Sequence, residues 1–295
     1  MHVFVTGSTG WVGAAVVDEL LAHGHSVVGL SRSKDKGDLL RAKGADVILG
    51  TLEDLDNLHA AAKNADAVAH LGFNHDFTRY VENAALDQRV IETIGRALQG
   101  TDKPLLVSST VSSLRVHGRV ATEADLPASD PTYPRRSEEA ARRLREHGVM
   151  ASTVRLPSSV HSVGETHGFV PILVNLARRS GVSAYLGDGT NHWLAVHVSD
   201  AARLYRLALE SGATQPAYHA VGEGAVVFRD IAEAIGEKLG LPVEPRAADH
   251  FGGLGGFVGE DILASSARTR RVLDWQPTGP GLIADISHPD YYAGA

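Results

Sequence analysis

At 295 residues the chain is longer than a usual single-core domain and shorter than two full-sized enzymes, so one domain with an elaboration is expected. Its 28 Lys and Arg against 35 Asp and Glu leave a net charge of −7, no footprint for wrapping nucleic acid, and zero Cys excludes disulfides, thiol nucleophiles and zinc–thiolate sites. No stretch approaches the roughly 18 apolar residues of a membrane span, and the chain opens on strand-like His2-Val3-Phe4-Val5 instead of a basic, then apolar, leader, so a soluble cytoplasmic protein is expected.

The first 110 residues alternate short β-branched runs with longer Ala- and Leu-rich segments, the pattern of βαβ units winding a parallel sheet. Five strands are predicted: Val3 to Thr6, Ser26 to Leu30, Val47 to Leu49, Ala67 to Leu71 and Leu105 to Ser108. Each is an uninterrupted apolar run of the kind buried on both faces. A helix from Trp11 is expected to end at Gly24, and another carrying Phe228, Ile231, Ile235 and Leu239 is expected to end at Gly240. After about residue 155 the alternation weakens, leaving a helix at Ser199 to Glu210 and a strand-like Ala217 to Val221. Phe251-Gly252-Gly253-Leu254-Gly255-Gly256-Phe257 reads either as a flap or as a tight connection.

Thr6-Gly7-Ser8-Thr9-Gly10-Trp11-Val12-Gly13 follows the first strand and opens the first helix. Gly7 permits the tight turn, Gly10 lets backbone approach a pyrophosphate, and Gly13 lets helix and sheet pack closely. Unpaired amides at the helix start then face the anion, so a dinucleotide is expected here. At the end of the second strand an acidic side chain would bond a ribose 2′-hydroxyl; the chain instead reads Leu30-Ser31-Arg32-Ser33-Lys34. Ser31, Arg32 and Ser33 suit a 2′-phosphate, which favours NADP(H); a solvated basic turn is the alternative.

With Ala65-Asp66-Ala67-Val68-Ala69-His70-Leu71 at the fourth strand and Leu106-Val107-Ser108-Ser109-Thr110 at the fifth, the sequence resembles the short-chain dehydrogenase/reductase superfamily, in its extended branch of NAD(P)-dependent epimerases, dehydratases and carbonyl reductases. Val154-Arg155-Leu156-Pro157, His197-Val198-Ser199-Asp200-Ala201-Ala202 and Arg271-Val272-Leu273-Asp274-Trp275-Gln276-Pro277 extend the likeness over nearly the whole chain. The resemblance implies an α/β fold, a doubly wound parallel Rossmann sheet with a smaller C-terminal substrate-binding lobe. Residues 1–160 with 194–222 would form the first part, and 161–193 with 223–295 the second. It also implies that Leu71, Gly72, Ser108, Pro157 and Ser158 border the cofactor, that Thr110 is the catalytic hydroxyl and that Tyr133 is the proton donor. Homodimerisation is common in families of this kind.

One departure carries chemical weight. The resemblance implies Tyr-x-x-x-Lys, but four residues past Tyr133 stands Ser137. A phenol with a pKa of about 10 needs a neighbouring cation to act near neutral pH. Arg135 or Arg136 can supply one, and on a helix only the latter spacing shares a face with Tyr133. Pro134 suits a first helical position, which would put Tyr133 at the cap.

Fifteen His offer other proton donors, each weighed against a structural role: His75 after the fourth strand, His161 after the sixth, and His192 and His197 flanking Trp193. No spacing names a metal site. Phe73, Phe77, Phe169, Tyr185, Trp193, Phe251 and Phe257 either line an apolar pocket or pack the lobes, with Phe73, His75, His161, Phe169 and Trp193 the candidates for contact with substrate. The reading reached is an NADP(H)-dependent dehydrogenase or reductase of a small, fairly apolar ketone or aldehyde. A nucleotide-sugar epimerase or dehydratase is a second enzyme reading, although residues 160–200 offer a diphosphate only Arg178 and Arg179. A third is a non-catalytic NADP(H) sensor, resembling superfamily members that lack the Tyr-x-x-x-Lys pair.

Overall fold

The computed structural model describes residues 1–128 and 133–292; nothing is said of residues 129–132 and 293–295 or of the Phe77 side chain, so Phe77 as a pocket residue lies outside the described part. β1 (His2–Thr6) leads through α1 (Trp11–Ala22) to β2 (Ser26–Ser31), and α2 (Lys34–Ala42) leads to β3 (Asp46–Leu49). From there α3 (Leu55–Asn64) reaches β4 (Ala67–His70), α4 (Tyr80–Leu98) reaches β5 (Leu105–Thr110), and α5 (Ser137–Glu146) reaches β6 (Ala151–Leu156). The later chain adds β7 (Ser159–His161), α6 (Phe169–Ser180), β8 (Ser183–Leu186), β9 (His192–His197), α7 (Val198–Glu210) and β10 (Ala217–His219). β11 (Glu223–Val227), α8 (Phe228–Leu239), β12 (Val243–Arg246), α9 (Gly255–Val258) and α10 (Ala267–Leu273) follow.

Seven strands form one parallel sheet in the order β10-β6-β5-β4-β1-β2-β3. β1 pairs with β2 on one side, Val3 opposite Val27, and with β4 on the other, Val3 opposite Ala67. The winding reverses between β1 and β4, which opens a crevice at their carboxyl ends where a doubly wound sheet takes its ligand. Helices cover both faces, so the central strands β1, β4 and β5 are buried on both, whereas β3 at the sheet edge is partly exposed and departs from the expectation of a strand buried on both faces. On one face Val16, Val17 and Leu20 of α1 pack with Leu204, Tyr205 and Ala208 of α7; on the other, Leu58 of α3 packs with Val90, Ile91 and Ile94 of α4. Each such fully buried aliphatic side chain contributes about 1.5–3 kcal/mol. A separate core centred on Trp193, Phe228, Ile231 and Val174 holds the smaller lobe, around a three-stranded sheet of order β11-β9-β7.

Several boundaries differ from the sequence expectation, for physical reasons. α5 starts at Ser137, not at Pro134: Pro134 disfavours α geometry only at Tyr133, and Arg136, with φ −120° and ψ 23°, is the N-cap. β5 runs on to Thr110, and the strand at Ala217 stops at His219, whose backbone N–H turns to the Thr269 hydroxyl at 2.9 Å. The glycine-rich run around Phe251 is a tight connection, a 3₁₀ turn followed by α9, pinned by buried Phe251 and by Phe257 against Phe169 at 4.1 Å. Leu273 and Trp275, near the C-terminus, pack into the α1–α7 face of the large sheet.

Candidate cofactor and active site

The crevice begins at the glycine turn. Gly7 has φ +67°, and a Cβ there would meet the Gly72 amide nitrogen at 2.8 Å; a Cβ on Gly13 would stand 2.0 Å from the Gly7 carbonyl oxygen. Gly10 is exposed, carries the α1 N-cap and leaves that end without a side-chain cap or an acidic residue in the first turn. Ser8 donates to the Leu30 carbonyl at 2.8 Å, tying the turn to β2, while Trp11 Nε1 donates to the Val160 carbonyl at 2.7 Å, tying it to β7. Thr9 and Val12 are half-buried beside them. An uncapped helix start reached only through glycines fits a pyrophosphate. Ser158 is buried with a hydroxyl that has no partner among the described residues, an atom available to a bound group, and Pro157 before it is buried.

At the end of β2 the three residues of the basic turn separate. Ser31 is buried and gives its hydroxyl to the Ser33 carbonyl at 2.8 Å; Ser33 caps α2 by accepting from Lys36 N at 3.4 Å; Arg32 is exposed. Ser31 is thus turned inward, which leaves Arg32 and Ser33 as the groups available to a phosphate.

Beyond β4 a buried polar chain crosses the strand ends. Thr6 Oγ1 accepts from Gly72 N at 3.0 Å and lies 2.7 Å from His70 Nδ1, and His70 Nε2 lies 3.1 Å from Asp87 Oδ1. Ser137 donates to Asp87 Oδ2 at 2.5 Å and accepts from Arg135 Nε at 2.7 Å. Arg135 also donates to the Ser108 carbonyl at 2.9 Å and stacks 4.2 Å above the Phe73 ring. Burial opposes ionisation of Asp87, but the hydrogen bond from His70 and the charge of Arg135 hold its carboxyl below the ordinary value. Ser108 Oγ donates to the His70 carbonyl and lies 2.7 Å from the Tyr205 hydroxyl, so it knits β4, β5 and α7 together.

Rings cover this chain. Phe73 meets Tyr80 edge-on at 6.1 Å, Tyr80 meets Tyr133 at 6.1 Å, and the two phenols are hydrogen-bonded. Burial, and then Tyr133, push the Tyr80 phenol up, so it holds its proton. Arg115 lies over the Tyr133 ring at 5.7 Å, and Arg136 donates to the Tyr133 carbonyl. Thr110 Oγ1 accepts from Ser112 N at 3.2 Å, which leaves its proton free to donate elsewhere. His75 stands edge-on to Phe73 at 5.3 Å, its basicity lowered by desolvation and by Arg135. Beside the turn after Thr110 lies a cavity of about 20 Å³ bounded by Ser112, Arg115, His117 and Glu260. Burial pushes the Glu260 carboxyl up, and Arg115 stands 3.5 Å away.

Three of the expected substrate-contacting side chains sit elsewhere. His161 is fully buried, with Nδ1 2.6 Å from Asp285 Oδ2. Trp193 is fully buried at the centre of the smaller lobe, 4.9 Å from Phe228, and Phe169 packs on that same core. β7 and β9 turn the His161 and Trp193 side chains inward, and Phe169 on α6 is half-buried. His192 pairs with Asp261 at 2.8 Å, and His197 caps α7. Tyr80, Asp87 and His70 went unsuspected. Asp87 carried a signal, being acidic on the stripe it shares with Val90, Ile91 and Ile94. Among the described residues no group of three His, Asp or Glu is placed to hold a metal ion, and no helix is long and apolar enough to cross a membrane.

Fold and glycine turn together define a Rossmann protein of the extended short-chain dehydrogenase/reductase kind. Residues 3–222 match the NAD dependent epimerase/dehydratase family, and the chain belongs to it. An uncharacterized protein of Schizosaccharomyces pombe is 43% identical over 298 residues, 99% of this chain and 100% of the relative. The 4-hydroxy-2-methyl-3-oxo-4-farnesyl-3,4-dihydroquinoline-1-oxide ketoreductase of Stigmatella aurantiaca is 25% identical over 269 residues, 85% of this chain and 80% of the relative. The crystal structure of Thermus thermophilus UDP-glucose 4-epimerase in complex with NAD has TM-score 0.74 at 22% identity, covering 100% of both chains, and shares the fold. The family and these relatives point to an NAD(P)-dependent oxidoreductase or epimerase.

Proposed function

We propose that the protein is an NADP(H)-dependent carbonyl reductase, reversibly an alcohol dehydrogenase, acting on a ketone or aldehyde of modest size and apolar character. The observation that carries this reading is the row Phe73, Tyr80 and Tyr133, with the two phenols hydrogen-bonded. It is a proton donor set in aromatic surroundings at the carboxyl end of the sheet. When bound, the nicotinamide supplies the hydride in reduction and takes it in oxidation. In reduction Thr110 donates its free proton as a hydrogen bond to the carbonyl oxygen, while Ser112 N holds its oxygen in place. Tyr133 then transfers its hydroxyl proton to the developing alkoxide, and the alcohol leaves neutral. Gly7, Gly10 and Gly13 hold the pyrophosphate, Arg32 and Ser33 take the 2′-phosphate, and Ser158 meets the nicotinamide end.

The Stigmatella relative, named as a ketoreductase, supports the reaction class. Nucleotide-sugar epimerisation is the second reading, supported by solved structures of this fold that hold a UDP-sugar and NAD. Its diphosphate would need cations in the smaller lobe, and of the two candidates on α6, Arg178 is committed to the Tyr292 carbonyl at 3.2 Å. The test is turnover with NADPH over a panel of aryl and alkyl ketones. Tyr133→Phe is expected to lower kcat about a hundredfold or more, the usual worth of a general acid. Unchanged turnover in Thr110→Ala would remove Thr110 from the mechanism.

A further inference from the structure

Two guanidinium groups approach the phenol pair. Arg115, in the turn after β5, lies over the Tyr133 ring at 5.7 Å, and Arg135 reaches Tyr80 from the other side, stacked 4.2 Å above the Phe73 ring on which Tyr80 packs. Residues 133–136 precede α5, so helical spacing does not decide which arginine faces the crevice. Arg136, the one that spacing favours, is occupied with the Tyr133 carbonyl and stands 3.6 Å from Glu139. Arg135 turns inward instead, held on three sides by the Ser108 carbonyl, the Ser137 hydroxyl and the Phe73 ring. Phe73 in turn packs on Tyr80, and Tyr80 hydrogen-bonds Tyr133. Ser137 is itself fixed, because its proton is given to the buried carboxylate of Asp87, which His70 and Thr6 anchor to the glycine turn through Gly72 N.

We propose that Arg135 is the cation that serves the Tyr80–Tyr133 pair, and that Ser137, at the position of the missing lysine and itself fixed by Asp87, is a positioning residue that aims Arg135. The proposal rests on the reading of Tyr133 as the proton donor. When Tyr133 gives its proton to the alkoxide its oxygen becomes a phenolate. Tyr80, still protonated, donates a hydrogen bond to that oxygen, and Arg135 supplies the positive field across the Phe73–Tyr80 contact. The proton returns from solvent when product leaves, so charge balances over the cycle. A fixed guanidinium suits this task because it stays charged at any working pH and its planar face can stack while its edge donates.

The test uses two readouts, one of which needs no cofactor. Ultraviolet titration of tyrosinate in the unliganded protein, run in wild type, Tyr133→Phe and Tyr80→Phe, assigns the steps of the pair. In Arg135→Ala the step of the pair is expected to move up, the direction for loss of a neighbouring opposite charge. Ser137→Ala is expected to move it the same way by less, and Arg135→Lys to hold it. With NADPH and a turned-over ketone, Arg135→Ala is expected to lower kcat by about tenfold or more, with the alkaline limb of the pH profile moved up and KM changed less. Arg135→Ala/Ser137→Lys, which restores a cation from the helix, is expected to recover part of both. Should Arg135→Ala fail to fold, Ser137→Ala and Arg135→Lys decide by the same titration. If Tyr133→Phe abolishes turnover while Arg135→Ala leaves the titration and the pH profile where they were, the role of Arg135 is overturned and the reductase reading stands. If Tyr133→Phe turns over as fast as wild type, the proton-donor reading itself falls.

Discussion

Gly13 lies so close to Gly7 that a Cβ on Gly13 would stand 2.0 Å from the Gly7 carbonyl oxygen. Gly13→Ala must therefore push α1 away from the turn. Overpacking of this kind costs about 1–3 kcal/mol, and the displaced amides no longer converge on an anion. Urea unfolding is expected to show that loss, and NADPH fluorescence titration a weakening of about tenfold or more, since each 1.4 kcal/mol is a factor of ten. Unchanged binding in a stable variant would remove the pyrophosphate from this turn.

Arg32 is an exposed cation directly before the Ser33 cap of α2. If it meets a 2′-phosphate, Arg32→Ala should raise KM for NADPH by about tenfold, the worth of a charge-assisted hydrogen bond, and leave KM for NADH alone. Equal effects on both cofactors would make the residue part of a solvated turn.

In β6, Arg155 is almost wholly buried, donates Nε to Glu138 at 2.9 Å and pairs with it again through Nη2. It also donates to the Asp125 carbonyl at 2.6 Å. Arg155→Met leaves Glu138 buried without its partner, which costs about 3–5 kcal/mol. Adding Glu138→Gln should recover part of that loss. Thermal or urea unfolding of the single and double variants checks it, and no recovery would mean that the arginine acts through the backbone carbonyls alone.

Two buried groups set opposite slopes of stability with pH. Burial and then Arg155 lower the His219 pKa to about 4 from 6.5, so below 6.5 the unfolded chain takes up a proton that the folded one refuses. Stability from this group is present above pH 6.5 and falls as pH drops toward 4. Glu165 is buried, and burial raises its pKa to about 8 even though Tyr291 donates to it at 2.7 Å. Between 4.5 and 8 the unfolded chain has lost a proton that the folded one keeps, so stability falls as pH rises across that window. Glu165→Gln keeps a group of the same shape and should be stabilised relative to wild type increasingly from pH 5 to pH 8. A pH-independent difference would contradict this assignment.

Local pattern made much of the architecture legible. The apolar runs at β1, β2, β4 and β5 are buried on both faces, so composition alone marks them, and Gly240 ends α8 with φ +65° as its position suggests. The glycine turn was readable because its strand and helix adjoin it in sequence. What joins Thr6, His70, Asp87, Ser137 and Arg135 was not, because those residues come from three separate βα units and meet only once the sheet is wound. Arg135 is obscured for a local reason: α5 starts only at Ser137, so the helical spacing that points to Arg136 does not apply. At Trp193 and Phe169 the sequence leaves both readings open, because an aromatic in a strand or helix of a small lobe has the same signature whether it faces a ligand or the lobe's own core.

The central claim is NADPH-dependent carbonyl reduction, and loss of the reduced nicotinamide absorbance tests it most directly, with NADPH and NADH run in parallel over aryl and alkyl ketones and aldehydes. The account predicts turnover of an apolar carbonyl compound, with NADPH preferred and activity abolished in Tyr133→Phe. Tight NADPH binding with no turnover across the panel would contradict it.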